Sequence, residues 1–253
     1  MVYCPVEKAA CSTWKTIFAN ISSGGKIIRG MSPAHLRSLH AAIGRRFGLE
    51  ILPYNASLSS NTKLLVVRHP LDRLLSAYRD KMRGGDITFR NGSFKVVQQF
   101  RTNISNNDPY PTFREFVTML FTNTAIARNP HWDKYFFKCD PCNIEYDYIL
   151  KVETMEHDMK MFMSEVLPDS LRFVSEPKLN SFGPVSGTIG SPQNHLLKAY
   201  EVFSAEELQN IYSKYQYEHE FYGYGFNQNT LQATCCDPTS DAIDNTSALN
   251  CCC

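Results

Sequence analysis

The spacing of Arg68 and Ser76 puts an arginine at the end of an apolar strand and a serine about two turns into the helix that follows. A guanidinium fork, a hydroxyl and free backbone amides together make a grip for a phosphate monoester. The segment reads Val67-Arg68-His69-Pro70-Leu71-Asp72-Arg73-Leu74-Leu75-Ser76-Ala77-Tyr78-Arg79-Asp80-Lys81. Lys63 to Val67 is a short apolar run with β-branched residues at its end, which predicts a buried parallel strand. Pro70 then suits the first helical turn, where its missing N–H costs nothing. Arg68 therefore falls at the carboxyl edge of a strand, where open α/β sheets place their ligands, and the helix that follows adds a positive dipole end. Taken alone, such an R-x-P-x-x-R pattern is commoner as a surface ion-pair lattice, here of Arg73, Arg79, Asp80 and Lys81.

A second candidate anion site opens the chain. Met1 to Val6 is a strand-like run that enters Glu7-Lys8-Ala9-Ala10-Cys11-Ser12-Thr13-Trp14-Lys15 with no spacer. The small residues and hydroxyls of Ala9 to Thr13 permit a tight turn whose N–H groups converge on an anion, with Lys8 projecting into the same concavity. Trp14, Ile17 and Phe18 would face a core from the next helix. The G-x-x-x-x-G-K-[ST] spacing is absent, which argues against an ordinary nucleoside triphosphate loop. By itself the segment also fits a plain strand-to-helix connection.

The elements that must position these groups are legible as alternating strands and helices. A chain of 253 residues with 43% hydrophobic content can bury a single α/β core around a largely parallel sheet. Ser32-Pro33 opens a helical stretch with Leu36, Leu39, Ile43 and Phe47 on one face. Thr112 with Glu115, and Ser204 with Glu207, read as capping boxes ahead of apolar stripes. Those stripes are core by their period. Gly84-Gly85 should stop the helix after Arg68, Asn91 to Pro111 is polar enough for a loop, and Ser181 to Gln193 reads as a mobile loop. No internal repeat is present. The expected division is a domain over residues 1–227 and a polar, Cys-rich, disordered tail over 228–253.

A net charge of +1 excludes a generally basic nucleic-acid binder. Local charge differs: Lys26, Arg29, Arg37, Arg45 and Arg46 lie between the two anion sites, and Arg79, Lys81 and Arg83 follow the second. That rim suits a polyanionic acceptor, although solvated helix faces explain basic clusters more often. The nine cysteines include a C-x-x-C pair at Cys139 and Cys142. Such a pair can be a zinc half-site, a redox motif or a local disulfide, and in an oxidising compartment a disulfide within the pair is the expectation. N-x-[ST] sequons at Asn20, Asn55, Asn91, Asn103 and Asn245 point to the same compartment. No apolar run reaches the length of a membrane span.

Both anion segments resemble motifs of the Golgi carbohydrate sulfotransferases, in the branch with the chondroitin, dermatan and N-acetylgalactosamine 4-O-sulfotransferases and the natural killer epitope sulfotransferase. In that family a P-K-x-x-C-[ST]-x-W-K loop binds the 5′-phosphosulfate of 3′-phosphoadenosine 5′-phosphosulfate (PAPS). An R-[DE]-P-x-x-R-[LF]-x-S-A-[FY]-x-[DN]-K segment binds its 3′-phosphate. This chain departs at Glu7, where proline is usual, and at His69, where an acid is usual. The resemblance extends through Asn129-Pro130-His131-Trp132, Cys139-Asp140-Pro141-Cys142, Tyr146-Asp147-Tyr148-Ile149 and Lys151-Val152-Glu153-Thr154 to Tyr212, Tyr215, Glu218, Phe221, Tyr222, Gly223 and Tyr224. It covers roughly residues 1–226.

The resemblance implies a PAPS-dependent sulfotransferase fold, a P-loop-like parallel sheet flanked by helices. It implies a carbohydrate sulfotransferase that moves a sulfuryl group from PAPS to a sugar hydroxyl, chondroitin or dermatan 4-O in type, with PAPS as co-substrate and no metal. Donor contacts are expected from Lys8, Ala9, Ala10, Cys11, Ser12, Thr13, Trp14 and Lys15, and from Arg68, Pro70, Arg73 and Ser76. The partner would be a glycan acceptor, a glycosaminoglycan by type, and the setting the Golgi lumen. Relatives carry an amino-terminal tail, span and stem, whereas this chain opens on the first strand, so membrane attachment would need an anchor outside it. Lys8 is the expected group to neutralise the leaving oxygen. His131 and His69 are the candidate bases, His69 more as a tuner of its pocket. A structural histidine beside Trp132 is the competing reading for His131. A catalytically inactive glycan- or nucleotide-binding protein is the alternative function, favoured by an acid at position 7 that would repel the phosphosulfate. A nucleoside kinase is a weaker one.

Overall fold

The structure is a computed structural model that describes residues 2–22, 62–83, 96–102, 109–166 and 192–225. The helix expected at 32–47, the basic residues from 26 to 46, most of the 181–193 loop, the sequons at Asn55, Asn91, Asn103 and Asn245, and the boundary at 227 lie outside the described residues. Contacts divide the chain into two compact units, Met1–Arg68 with Phe137–Ser186, and His69–Phe136 with Gly187–Cys253.

The first unit holds a parallel sheet of β1 (Val2–Cys4), β2 (Lys63–Val67) and β3 (Tyr148–Lys151), with β2 central. Leu64 to Val67 are fully shielded from solvent. A parallel strand covered on both faces is a continuous apolar run rather than an alternating one, which is why β2 was legible. Helix α1 (Cys11–Ser22) presents Trp14, Ile17 and Phe18, and a later helix over Met155–Val166 presents Met155, Met159, Phe162 and Met163. Both sets recur at the three- and four-residue spacing of one helix face. With Tyr3, Leu64, Val66 and Leu150 they form one core. Trp14 sits at its centre, its ring 5.5 Å from Phe18 and 5.6 Å edge-on to Phe162.

The second unit begins with α2 (Pro70–Ala77), which runs on into a π-helical stretch, Tyr78–Arg83. It continues through α3 (Phe113–Thr122) and the short α4 (Thr124–Ala127). The short α5 (Phe136–Cys139) crosses the division between the units, and the Met155–Val166 helix of the first unit is α6. The second unit ends with α7 (Pro192–Tyr200), α8 (Ala205–Lys214) and α9 (Gln216–Phe221). Both capping boxes form: Thr112 accepts from the Glu115 amide while Glu115 accepts from the Thr112 amide, and Ser204 and Glu207 repeat the exchange. Leu71, Leu74 and Leu75 of α2, Phe116 and Leu120 of α3, Tyr200 of α7 and Ile211 of α8 share the core with Trp132. Buried tyrosines pin it by their hydroxyls, Tyr200 to the Leu71 carbonyl (2.9 Å) and Tyr215 to that of Trp132 (2.7 Å).

Three expectations are corrected. Cys139 pairs with Cys4, with Cα atoms 5.8 Å apart, rather than with Cys142, which is itself disulfide-bonded. Sequence proximity is not what selects a disulfide partner; Cβ approach is, and β1 and α5 meet there. Residues 96–100 are helical inside the stretch read as a loop, with Val96 and Val97 fully buried. Arg101 beyond them grips Glu115 with two 2.7 Å bonds, a tertiary contact that polarity averaged over Asn91 to Pro111 does not reveal. Finally, α7 already begins at Pro192, inside the segment read as a loop to Gln193.

Candidate functional site

The turn between β1 and α1 carries two non-glycine residues in the left-handed region, Lys8 (φ 68°) and Ala10 (φ 56°). Each costs roughly 1–2 kcal/mol against the ordinary right-handed conformation, so the surrounding structure must impose them. Within the turn they make, the Ala9 amide donates to the Val6 carbonyl at 3.2 Å. Helix α1 then starts at Cys11, and the first-turn amides of any helix have no intrahelical acceptor. Ser12 is exposed, and Lys8, Cys11 and Thr13 are half-buried.

Several contacts hold this turn. Arg68, one residue past β2, donates from Nη1 to the Lys8 carbonyl at 3.2 Å. Because β1 and β2 are parallel neighbours, the turn and Arg68 leave the sheet at the same carboxyl edge. Lys138 of α5 donates from Nζ to the Pro5 carbonyl and to Glu7 Oε1, both at 2.6 Å. One position later Cys139 closes the disulfide to Cys4. The Glu7 carboxylate, the departure that seemed to oppose an anion, thus faces an ammonium. Lys138 was missed at the sequence level because its partners lie more than a hundred residues away and no local pattern marks it.

The remaining expected residues fall in different environments. Trp14 is entirely buried in the first core, so it supports the turn from beneath. Pro70 occupies the first turn of α2 and is buried, and Ser76 is half-buried on the same helix. Arg73 is only 2% exposed. Its guanidinium lies inside the second unit, donating to the Pro130 carbonyl (2.8 Å) and the Asp133 carbonyl (2.9 Å), 5.1 Å from the Tyr135 ring. The guanidinium expected on the donor thus bonds carbonyls of the turn that carries His131. His69 is 2% exposed and packs edge-on against His219 (5.1 Å) and Tyr224 (5.3 Å). Burial, reinforced by His69, holds the His219 imidazole down at about 3, so it stays neutral.

His131 is half-buried in the turn of residues 129–133. The Asn129 carbonyl accepts from the amides of Trp132 (3.1 Å) and Asp133 (2.7 Å), which closes the turn. Trp132 itself is buried, with Nε1 donating to the Ile126 carbonyl at 2.7 Å. Glu218 of α9 is wholly buried nearby in the fold's charge network, and burial pushes its carboxyl up to about 7. Its own and the Phe136 backbone amides, Arg73 and Lys134 pull the other way and are outweighed. Glu218 belonged to the aromatic closing segment, but nothing local signalled that an acid there would be buried. Among the described residues no helix is long and apolar enough to cross a membrane, and no three His, Cys, Asp or Glu side chains cluster to hold a metal.

The chain is similar to known carbohydrate sulfotransferases. Carbohydrate sulfotransferase 11 of Mus musculus is 29% identical over 233 residues, covering 84% of this chain and 64% of its own length. Carbohydrate sulfotransferase 14 of Danio rerio is 31% identical over 186 residues, or 68% of this chain and 47% of its own length. Carbohydrate sulfotransferase 9 of Homo sapiens is 28% identical over 186 residues, 68% and 40% respectively. The chain thus spans less than two thirds of the length of these curated relatives. No solved structure matches it. A family profile described as the sulfotransferase family matches residues 1–225, which contain the turn at Lys8 to Ala10, Arg68 at the sheet edge and the His131 turn, and the chain belongs to that family.

Proposed function

We propose that this chain transfers a sulfuryl group from PAPS to a hydroxyl of a sugar, with a glycosaminoglycan of chondroitin or dermatan type as acceptor, in the lumen of the Golgi. The observation that carries the reading is the left-handed Lys8–Ala10 turn, opening onto the start of α1, beside Arg68 at the carboxyl edge of a parallel sheet. The Cys4–Cys139 disulfide suits an oxidising compartment.

Sulfuryl transfer is an in-line displacement in which the acceptor oxygen attacks sulfur as the bond to the 5′-phosphate oxygen breaks, and the acceptor hydroxyl gives up its proton. Positioning and electrostatic stabilisation supply most of the catalysis, by analogy with phosphoryl transfer. Ser12, Thr13 and the turn amides would hold the phosphosulfate, and the Lys8 ammonium would meet the charge growing on the leaving oxygen. Arg68 and Ser76 would hold the 3′-phosphate. His131 would take the acceptor proton. The inactive-binder alternative loses its main support, because the Glu7 carboxylate is on Lys138 rather than facing the turn alone.

Titration calorimetry with 3′-phosphoadenosine 5′-phosphate, followed by transfer of labelled sulfate from PAPS to chondroitin, tests the reading. Binding with transfer is expected, and Arg68→Ala should weaken binding at least tenfold, the loss of a charge-assisted contact worth about 1.5–3 kcal/mol. Binding without transfer to any sugar acceptor would return the chain to the inactive alternative.

A further inference from the structure

We propose that Asn129 is a positioning residue that selects which nitrogen of His131 takes the acceptor proton, an inference that rests on His131 as the base. Asn129 Oδ1 lies 3.0 Å from the His131 backbone nitrogen and 2.8 Å from its ring Nδ1. Backbone N–H is obligatorily a donor, so the side-chain atom of Asn129 that faces it is the carbonyl oxygen and not the amide nitrogen. That assignment removes the usual ambiguity of an asparagine flip. An oxygen of this kind only accepts, so Nδ1 must carry hydrogen and donate to it. In neutral His131 the lone pair then resides on Nε2, and Nε2 is the atom that can accept a proton.

The same two bonds fix the ring's rotation, since backbone and ring are tied to one oxygen. The turn under them is rigid for stated reasons. Arg73 holds the carbonyls of Pro130 and Asp133, on either side of His131, while Tyr215 holds the carbonyl of Trp132. The charged groups around this turn include the Arg73 guanidinium, Asp133 and Lys134, with Lys214 of α8 and Glu218 of α9 acting on them. Once Nε2 is protonated, the Asn129 oxygen accepts from an imidazolium, which stabilises the charge. Hydrogen-bond partners that orient a metal-ligating histidine are worth roughly 10- to 100-fold, and an effect of that size is expected for a base held in the same way.

The test combines ring nitrogen NMR with turnover of labelled PAPS and chondroitin. In the parent protein the His131 signals should show a hydrogen-bearing Nδ1 and a lone-pair Nε2 at high pH. Asn129→Ala should lose that preference and lower kcat roughly 10- to 100-fold, with donor KM within about twofold. Asn129→Asp keeps the acceptor oxygen and adds charge; it should retain the tautomer and move the acidic limb of the pH profile up by about one unit. That variant also tests the proposal should Asn129→Ala not fold. In a His131→Ala background, Asn129→Ala should cost nothing further. A hydrogen-bearing Nε2 in the parent, or an Asn129→Ala variant with normal kcat while His131→Ala is inactive, overturns the positioning role alone. A His131→Ala variant with normal turnover overturns the base and this inference with it.

Discussion

Replacing Arg73 should unfold the second unit rather than empty a donor site. The side chain is 2% exposed and donates two bonds to main-chain carbonyls, at 2.8 Å to Pro130 and 2.9 Å to Asp133. Bonds from a charged donor contribute about 1.5–3 kcal/mol each, so Arg73→Ala removes about 3–6 kcal/mol before its packing against Tyr135 is counted. The carbonyls of Pro130 and Asp133 would also lose a charged donor. Total stability is about 5–15 kcal/mol, so the loss is a large fraction of it. Arg73→Lys offers a single point of donation in place of a fork and should recover about half. The chain has tryptophan only at positions 14 and 132. In a Trp14→Phe background, Trp132 fluorescence therefore reports the second unit during urea unfolding. Should Arg73→Ala unfold within about 1 kcal/mol of its parent while affinity for 3′-phosphoadenosine 5′-phosphate falls tenfold or more, the bracing role is wrong and the guanidinium serves the donor.

Lys8→Ala should lower kcat more than it weakens donor affinity, because the charge it meets grows only in the transition state; pre-steady-state and equilibrium binding measurements separate the two, and equal losses would make Lys8 a ground-state ligand. Lys138→Met should cost at most about 1 kcal/mol of stability, since its pair with Glu7 is partly exposed, yet weaken donor binding several-fold by freeing a negative charge beside the turn. Adding Glu7→Gln should restore that affinity, as calorimetry would read. Glu218 makes a pH-dependent contribution of definite sign. Its folded carboxyl titrates at about 7 against 4.5 unfolded, so the native state holds the extra proton and stability falls as pH rises through that window. Glu218→Gln should remove this slope and gain on the order of 3 kcal/mol above pH 7, measured by urea unfolding across the window.

Much of the frame was readable before any coordinates. β2 announced itself as an unbroken apolar run, both capping boxes as a hydroxyl three residues before a glutamate, and the α1 and α2 starts as small or proline residues after strands. These are short-range effects, set by the backbone preferences and periodicity of neighbouring residues, and they survive whatever the rest of the chain does. Lys8 and Arg68 were singled out because strand ends in parallel sheets are where ligands bind, and the sheet's parallel order does put them at one edge. The partners were not readable. Arg73 looked identical to a phosphate ligand, since a guanidinium serves phosphate and carbonyl oxygen equally well and only burial tells which one it meets. Cys139 had a nearer cysteine than the one it bonds, and Glu7 looked repulsive until Lys138 was beside it. The role of Asn129 needed an atom-level fact, a single oxygen shared by a backbone amide and a ring nitrogen. Local propensity is written residue by residue, whereas the choice among chemically equivalent partners is made by proximity across the folded chain, and proximity exists only once the core has closed.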